Sequence, residues 1–289
     1  MKARFALLLM VLLPLAACKN ETPAPVSDAA VSATASDAAE TTPVSAEDPQ
    51  AKAVAEANVQ AAADAAAKAP PPVLGTDYVE IANGQPFNTT DGRIEIVEIF
   101  GYVCPACAAV QPTVRAMKNK LPPDVHMVYV PAAFGQMWDT YAKAFFTADA
   151  MGLVDKTHDD MFRAIHVDKT LKGERGMDSP EDIAAFYKGY GADPKQFVSS
   201  MASFAVDAKV NRSRQWVMAA FANGNASTPT FVVNGKYRVT SKTWDDAFRV
   251  INQLVVAERV KAAAAVAPAE IAPAGDAPAE AAAAAPAEA

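Results

Sequence analysis

The sequence predicts an α/β protein in which a central mixed β-sheet is flanked by helices and carries an all-helical insertion. Three observations predict this. A strand–helix–strand pattern spans 93–130, a long helical stretch spans 138–222, and a hairpin signature followed by a last helix spans 229–261.

The elements can be justified in order. Arg93 to Phe100 is rich in β-branched residues and follows the turn signal Asp91-Gly92, so it reads as a buried strand. Ala108 to Lys120 places Val110, Val114 and Met117 at helical spacing, with Pro112 expected to kink that helix. Val125 to Val130 is a second strand, stopped by Pro131. From Trp138 to about Ala222 the pattern is helical. Tyr141, Phe145 and Ala148 mark one apolar face, and Gly152 closes that helix. Ser179-Pro180-Glu181 and Asp193-Pro194 each place a capping residue before a proline at the first helical position. The β pattern returns at Pro229 to Val233, and Asn234-Gly235 before Lys236 to Val239 predicts a two-residue hairpin. A helix from Trp244 to about Lys261 carries Phe248, Ile251, Leu254 and Val255. His126 falls in a strand as a packed or edge residue. His158 and His166, two helical turns apart, read as surface or satisfied side chains, and Trp138, Trp216 and Trp244 as core or helix-packing residues.

The ends of the 289-residue chain differ from this middle. Lys2 and Arg4 precede an apolar stretch, Phe5 to Leu15, too short to span a bilayer, which reads as an export signal over 1–17. Leu15-Ala16-Ala17-Cys18 resembles a bacterial lipobox, so Cys18 is the expected lipidation site. Residues 18–72 then form an acylated cysteine and an Ala/Pro-rich linker, and 262–289 an Ala/Pro/Glu tail. Neither stretch has the large apolar side chains that a packed core requires. Fifty flexible residues would span roughly 40 Å, a reach above a membrane. The expectation is a lipid-anchored protein of the periplasm or cell envelope, with Lys19 favouring the outer membrane. The folded part is 73–261, with its helical insertion at about 133–222. A net charge of −7 without a basic cluster argues against a nucleic-acid partner.

Chemistry concentrates at Cys104-Pro105-Ala106-Cys107, which holds two of the three cysteines. At this spacing one thiolate can attack a disulfide and the second thiol can resolve the mixed product. Only a thiolate is nucleophilic, so the attacking thiol needs a lowered pKa. Cys104 at a helix N-terminus would obtain it from unpaired N–H groups and the helix dipole. An inert disulfide would close too short a loop to stabilise much. Structural zinc needs four Cys or His ligands, which one CxxC plus His126, His158 and His166 do not supply in ligand-like spacing. No cofactor and no metal are expected.

These residues resemble the thioredoxin-fold thiol:disulfide oxidoreductases, and within them the DsbA-like proteins. The resemblance covers most of Asp77 to Lys261. It rests on Phe100-Gly101-Tyr102-Val103 leading into the CPAC motif, on Leu121-Pro122-Pro123-Asp124-Val125, on the helical insertion, and on Thr228-Pro229 opening the hairpin. It implies Cys104 and Cys107 as a redox-active pair and Glu98 as a buried acid serving Cys107. It implies a cis bond before Pro229, beside the CxxC. Pro105, Ala106 and Thr228 would line the substrate groove. Reduced exported proteins would be the clients. The membrane redox partner would be DsbB-type for an oxidase and DsbD-type for a reductase or isomerase. One departure stands out. Strongly oxidising members carry Pro-His between the cysteines, whereas Ala106 offers no imidazolium to stabilise the Cys104 thiolate. The reading favours oxidation, with reduction or isomerisation as the alternative. A non-catalytic client-binding module is the reading from a different class.

Overall fold

Strand β2 (Ile94–Phe100) is buried along nearly its whole length, as its run of branched apolar residues requires. It pairs in parallel with β3 (Val125–Pro131), Ile96 opposite Met127 and Glu98 opposite Tyr129. On its other side it is antiparallel to β4 (Thr230–Val233), Ile96 opposite Val233 and Ile99 opposite Thr230. With β1 (Tyr78–Glu80) and β5 (Tyr237–Val239) the five-stranded mixed sheet has the order β1-β5-β4-β2-β3. The computed structural model describes residues 66–88, 91–222 and 225–266, together with Ala57, Gln60, Ala61 and Asp64. The export signal, Cys18, most of the linker and 267–289 lie outside the described residues. Among those described, no helix is long and apolar enough to cross a membrane.

Helix α1 (Pro105–Lys118) follows β2 and runs through Pro112 without a break. It starts before the expected Ala108, because Cys104 caps it and Pro105 occupies the first helical position. Strand β3 extends through Pro131 instead of stopping before it. Pro131 lies opposite Phe100, and the Ala132 N–H donates to the Phe100 carbonyl at 2.7 Å. An edge strand tolerates the missing donor of proline.

The insertion contains α2 (Gln136–Ala150), α3 (Val154–His166), α4 (Pro180–Lys188), α5 (Pro194–Met201) and α6 (Phe204–Ala220). The expected caps form. Ser179 accepts from the Asp182 N–H while the Asp182 carboxylate accepts from the Ser179 N–H, and Asp193 accepts from the Gln196 N–H. Phe100, at the end of β2, meets Tyr102, Tyr129, Phe145 and Phe162 edge-on with ring centroids 5.1–6.1 Å apart. Each such pair is worth about 0.5–1.5 kcal/mol beyond burial, so this cluster welds the insertion to the sheet.

The hairpin differs from its prediction by one residue. Asn234 and Gly235 both have positive φ (51° and 67°), and the Lys236 N–H donates to the Val233 carbonyl at 3.0 Å. Val233 nevertheless pairs with Tyr237, which leaves Lys236 as an extra residue whose carbonyl accepts from the Ile81 N–H. Gly235 is required twice over, because a Cβ there would overlap the Gln85 backbone. The last helix, α7 (Trp244–Val266), runs past Lys261. Trp138 and Trp216 pack on the core as expected, but Trp244 is 43% exposed, since it opens α7 at the surface. The segment leading to β1 lies along α7. Gln253 donates to the carbonyls of Ala66 and Pro70 at 3.2 and 2.8 Å, and Arg249 to that of Pro70 at 2.9 Å.

Candidate active site

The turn Gly101–Cys104 joins β2 to α1 and is closed by the Cys104 N–H donating to the Gly101 carbonyl at 3.0 Å. Glycine fits here because a Cβ at position 101 would run into the Trp138 ring. Cys104 then caps α1 with extended φ and ψ (−79°, 117°), and its Sγ accepts from the Cys107 N–H at 3.4 Å. The helix ends with Arg115 and Lys118, so the charges of its last turn complement its dipole.

Both cysteines are free thiols. Cys107 is fully buried and Cys104 is 7% exposed, flanked by the exposed Pro105 and Ala106. The hydrogen bond from Cys107 lowers the Cys104 thiol to about 6; Thr228 and the N–H groups of Cys107 and Ala106 help, against the opposing effect of burial. Burial pushes the Cys107 thiol far up, reinforced by Cys104 and Glu98. The two sulfurs are thus split, one poised to be a thiolate near neutral pH and the other kept protonated.

The Thr228–Pro229 bond is cis. The Thr228 carbonyl lies 3.5 Å from Cys104 Sγ, and the loop is tied by Thr230 Oγ1 donating to the Ser227 carbonyl at 3.0 Å. Pro229 is buried and Thr228 half-buried.

The two acids of β2 are three residues apart and so lie on opposite faces of the sheet. Glu95 accepts the N–H groups of Phe87 and Asn88 at 2.6 and 2.7 Å. Glu98 is fully buried, and neither of its carboxylate oxygens has a partner among protein groups. Burial, then the charges of Cys104 and Asp159, push it up to about 8. It is therefore mostly protonated at neutral pH, a proton held beside the dithiol. Among the described residues no group of three or more His, Cys, Asp or Glu side chains is placed to hold a metal ion.

No family model matches the chain. The thiol:disulfide interchange protein DsbA of Pseudomonas aeruginosa is 36% identical over 200 residues, covering 68% of this chain and 90% of that protein. The chain belongs to the DsbA family. The DsbA of Azotobacter vinelandii is 38% identical over 165 residues, 57% of this chain and 73% of that one. In structure, DsbA from Xylella fastidiosa matches with a TM-score of 0.62 at 38% identity, over 66% of this chain and all of the other. Pseudomonas aeruginosa DsbA matches with a TM-score of 0.57 at 34% identity, over 66% of this chain and 96% of that one. As a DsbA-family protein the chain is a thiol:disulfide oxidoreductase on a thioredoxin fold with a helical insertion.

The structure brings Cys104, Cys107, Thr228, Pro229 and Glu98 together around the start of α1, with Pro105 and Ala106 at its surface. Cys18 lies outside the described residues. Sequence reading missed the neighbours of this site. His158, read as a surface or satisfied side chain, is buried, stacked on Tyr129 at 4.0 Å and bonded through Nδ1 to the Tyr102 hydroxyl at 2.9 Å, while its Nε2 has no partner among protein groups. His166 is satisfied by the Tyr102 carbonyl at 2.7 Å. Only the spacing of the two histidines on one helix hinted at a shared target, since Tyr102 is remote in sequence.

Proposed function

We propose that the protein introduces disulfides into reduced exported proteins, working in the cell envelope on a lipid anchor at Cys18. In this reading a substrate thiolate attacks Sγ of Cys104 in the Cys104–Cys107 disulfide. The S–S bond breaks, and Cys107 leaves and takes up a proton, which the protonated Glu98 is placed to supply. A second substrate thiolate then attacks the substrate sulfur of the mixed disulfide and expels Cys104 as a thiolate. The substrate loses two electrons and its thiol protons, and the active-site pair gains two electrons. Thr228 and Pro229, with Pro105 and Ala106, frame the surface where the substrate strand would lie. Return to the disulfide requires an oxidant of the quinone-linked, DsbB type.

The observation that carries this reading is the split of the two thiols, with Cys104 held near 6 and Cys107 far above. A good leaving and attacking sulfur thereby sits beside the exposed Pro105 and Ala106, while the resolving sulfur is fully buried. The test is Cys107→Ser incubated with an oxidised client, whose disulfide the Cys104 thiolate attacks with release of one client thiolate. A mixed disulfide through Cys104 should accumulate, and its absence would sink the assignment.

A second reading has one observation in its favour. Reference thiols of CxxC proteins run from about 3.5 in a strong oxidant to about 7 in thioredoxin, values belonging to those other proteins. The Cys104 thiol at about 6 falls nearer the reducing end, consistent with Ala106 supplying no positive charge. Equilibration of the core in glutathione buffers separates the two. A potential near thioredoxin's about −270 mV favours a reductase with a DsbD-type partner, and one near about −120 mV favours the oxidase.

A further inference from the structure

Tyr102 is gripped at both ends by one helix of the insertion. Its hydroxyl bonds His158 Nδ1 at 2.9 Å, and its carbonyl bonds His166 Nε2 at 2.7 Å. A carbonyl can only accept, so neutral His166 carries its proton on Nε2. The ring is 1% exposed and meets Phe100, Tyr141 and Phe162 edge-on, so the residue cannot swing to recover other partners. Burial keeps His158 neutral, lowering it to about 3, so its contact with the phenol is a neutral hydrogen bond.

The carbonyl contact matters most for the site. Tyr102 is the second residue of the Gly101–Cys104 turn, so its carbonyl and the Val103 N–H share the turn's central peptide plane, one residue before Cys104. Holding that oxygen fixes the rotation of the plane and thus the direction from which Cys104 enters α1. The donors that stabilise a Cys104 thiolate act over distances near 3.4 Å, where hydrogen bonding is steep in distance and angle. The sheet supplies the turn, but the insertion supplies the clamp.

We propose that His166 is a positioning residue for Cys104, which sets the thiolate's stability by clamping the Tyr102 carbonyl from the helical insertion while His158 clamps the same residue's phenol. This rests on Cys104 being the nucleophile.

The test compares His166→Met, which keeps length without a donor, with His166→Gln, which restores an N–H, and with His166→Ala. Arg163→Ala, which removes an exposed ion pair with Asp168 on the same helix, is the control. The readouts are thiolate absorbance against pH and the glutathione equilibrium constant, alongside thermal melting. His166→Met and His166→Ala should raise the thiolate transition by about half a unit to one unit. This is a three- to tenfold loss of thiolate below the transition and about 15–30 mV off the potential. His166→Gln should recover most of the difference, and Arg163→Ala should leave both readouts in place. If His166→Ala does not fold, the Met and Gln pair still decides. Unchanged thiolate transitions in His166→Met would overturn the proposal, as would equal shifts in Met and Gln or a matching shift in Arg163→Ala. A different failure, no thiolate transition below about pH 8 in the unaltered protein, would overturn the nucleophile assignment and the positioning role with it.

Discussion

Glu98 stands directly opposite Tyr129 in the parallel β2–β3 pairing, fully buried and without a protein hydrogen-bond partner for either oxygen. Its folded-state pKa is raised to about 8. A carboxyl raised in this way gives stability that is complete below its unfolded value, near 4.5, and is lost as pH climbs through about 8. Glu98→Gln should therefore stabilise the reduced protein at pH 7 by on the order of 2–3 kcal/mol and flatten that slope. It should also slow exchange by removing the proton beside Cys107. Denaturant unfolding at pH 5 and pH 8 measures the first effect, and an equal loss of stability with pH in both proteins would contradict it.

Cys104 imposes the opposite slope. Its lowered pKa means that stability of the reduced form is present above the unfolded value, near 9, and is lost as pH falls through about 6. Alkylation by iodoacetamide should accordingly reach half its maximal rate near pH 6 and be abolished in Cys104→Ser. A midpoint above pH 8 would show that the capping geometry does not stabilise the thiolate.

Ala106 is exposed beside Cys104, so an imidazole there would reach the thiolate without disturbing the core. Ala106→His should lower the thiol further, by about one unit, because a nearby positive charge favours the thiolate. Each unit corresponds to about 30 mV of more oxidising potential. Glutathione equilibration reads the change directly, and a potential that falls or stays level would refute it.

Gly101 is filled from outside by Trp138. Gly101→Ala should destabilise by about 1–3 kcal/mol through overpacking, and Trp138→Leu in the same chain should restore much of it. Thermal melts of the single and double variants form the cycle, and strictly additive losses would exclude the contact.

Strands β2 to β5, the caps and the CPAC spacing were legible because each has a local signature, whereas the three-residue β1 has none and was not predicted. The branched run of β2, the Ser179-Pro180 and Asp193-Pro194 starts, and the CPAC spacing all state their structure within a few residues. The register at Val233 was not legible, since Asn234-Gly235 specifies the φ signs but not the extra residue that the β1 loop holds at Lys236. Nor was the difference between Glu95 and Glu98. Both are acids on a buried strand, and only the packing decides which one finds donors. His158 and His166 were read as satisfied or superficial, because their partner is brought to them by the fold alone.

The grip of Gln253 and Arg249 on the carbonyls of Ala66 and Pro70 has a mechanical consequence. A pull arriving from an upstream tether meets α7 before it meets β1. The load would fall on the hydrogen bonds of Gln253 and Arg249 before it reached the pairing of β1 with β5. Under a pull on the proposed Cys18 anchor, these contacts with α7 would take up load ahead of the sheet that carries the thiols.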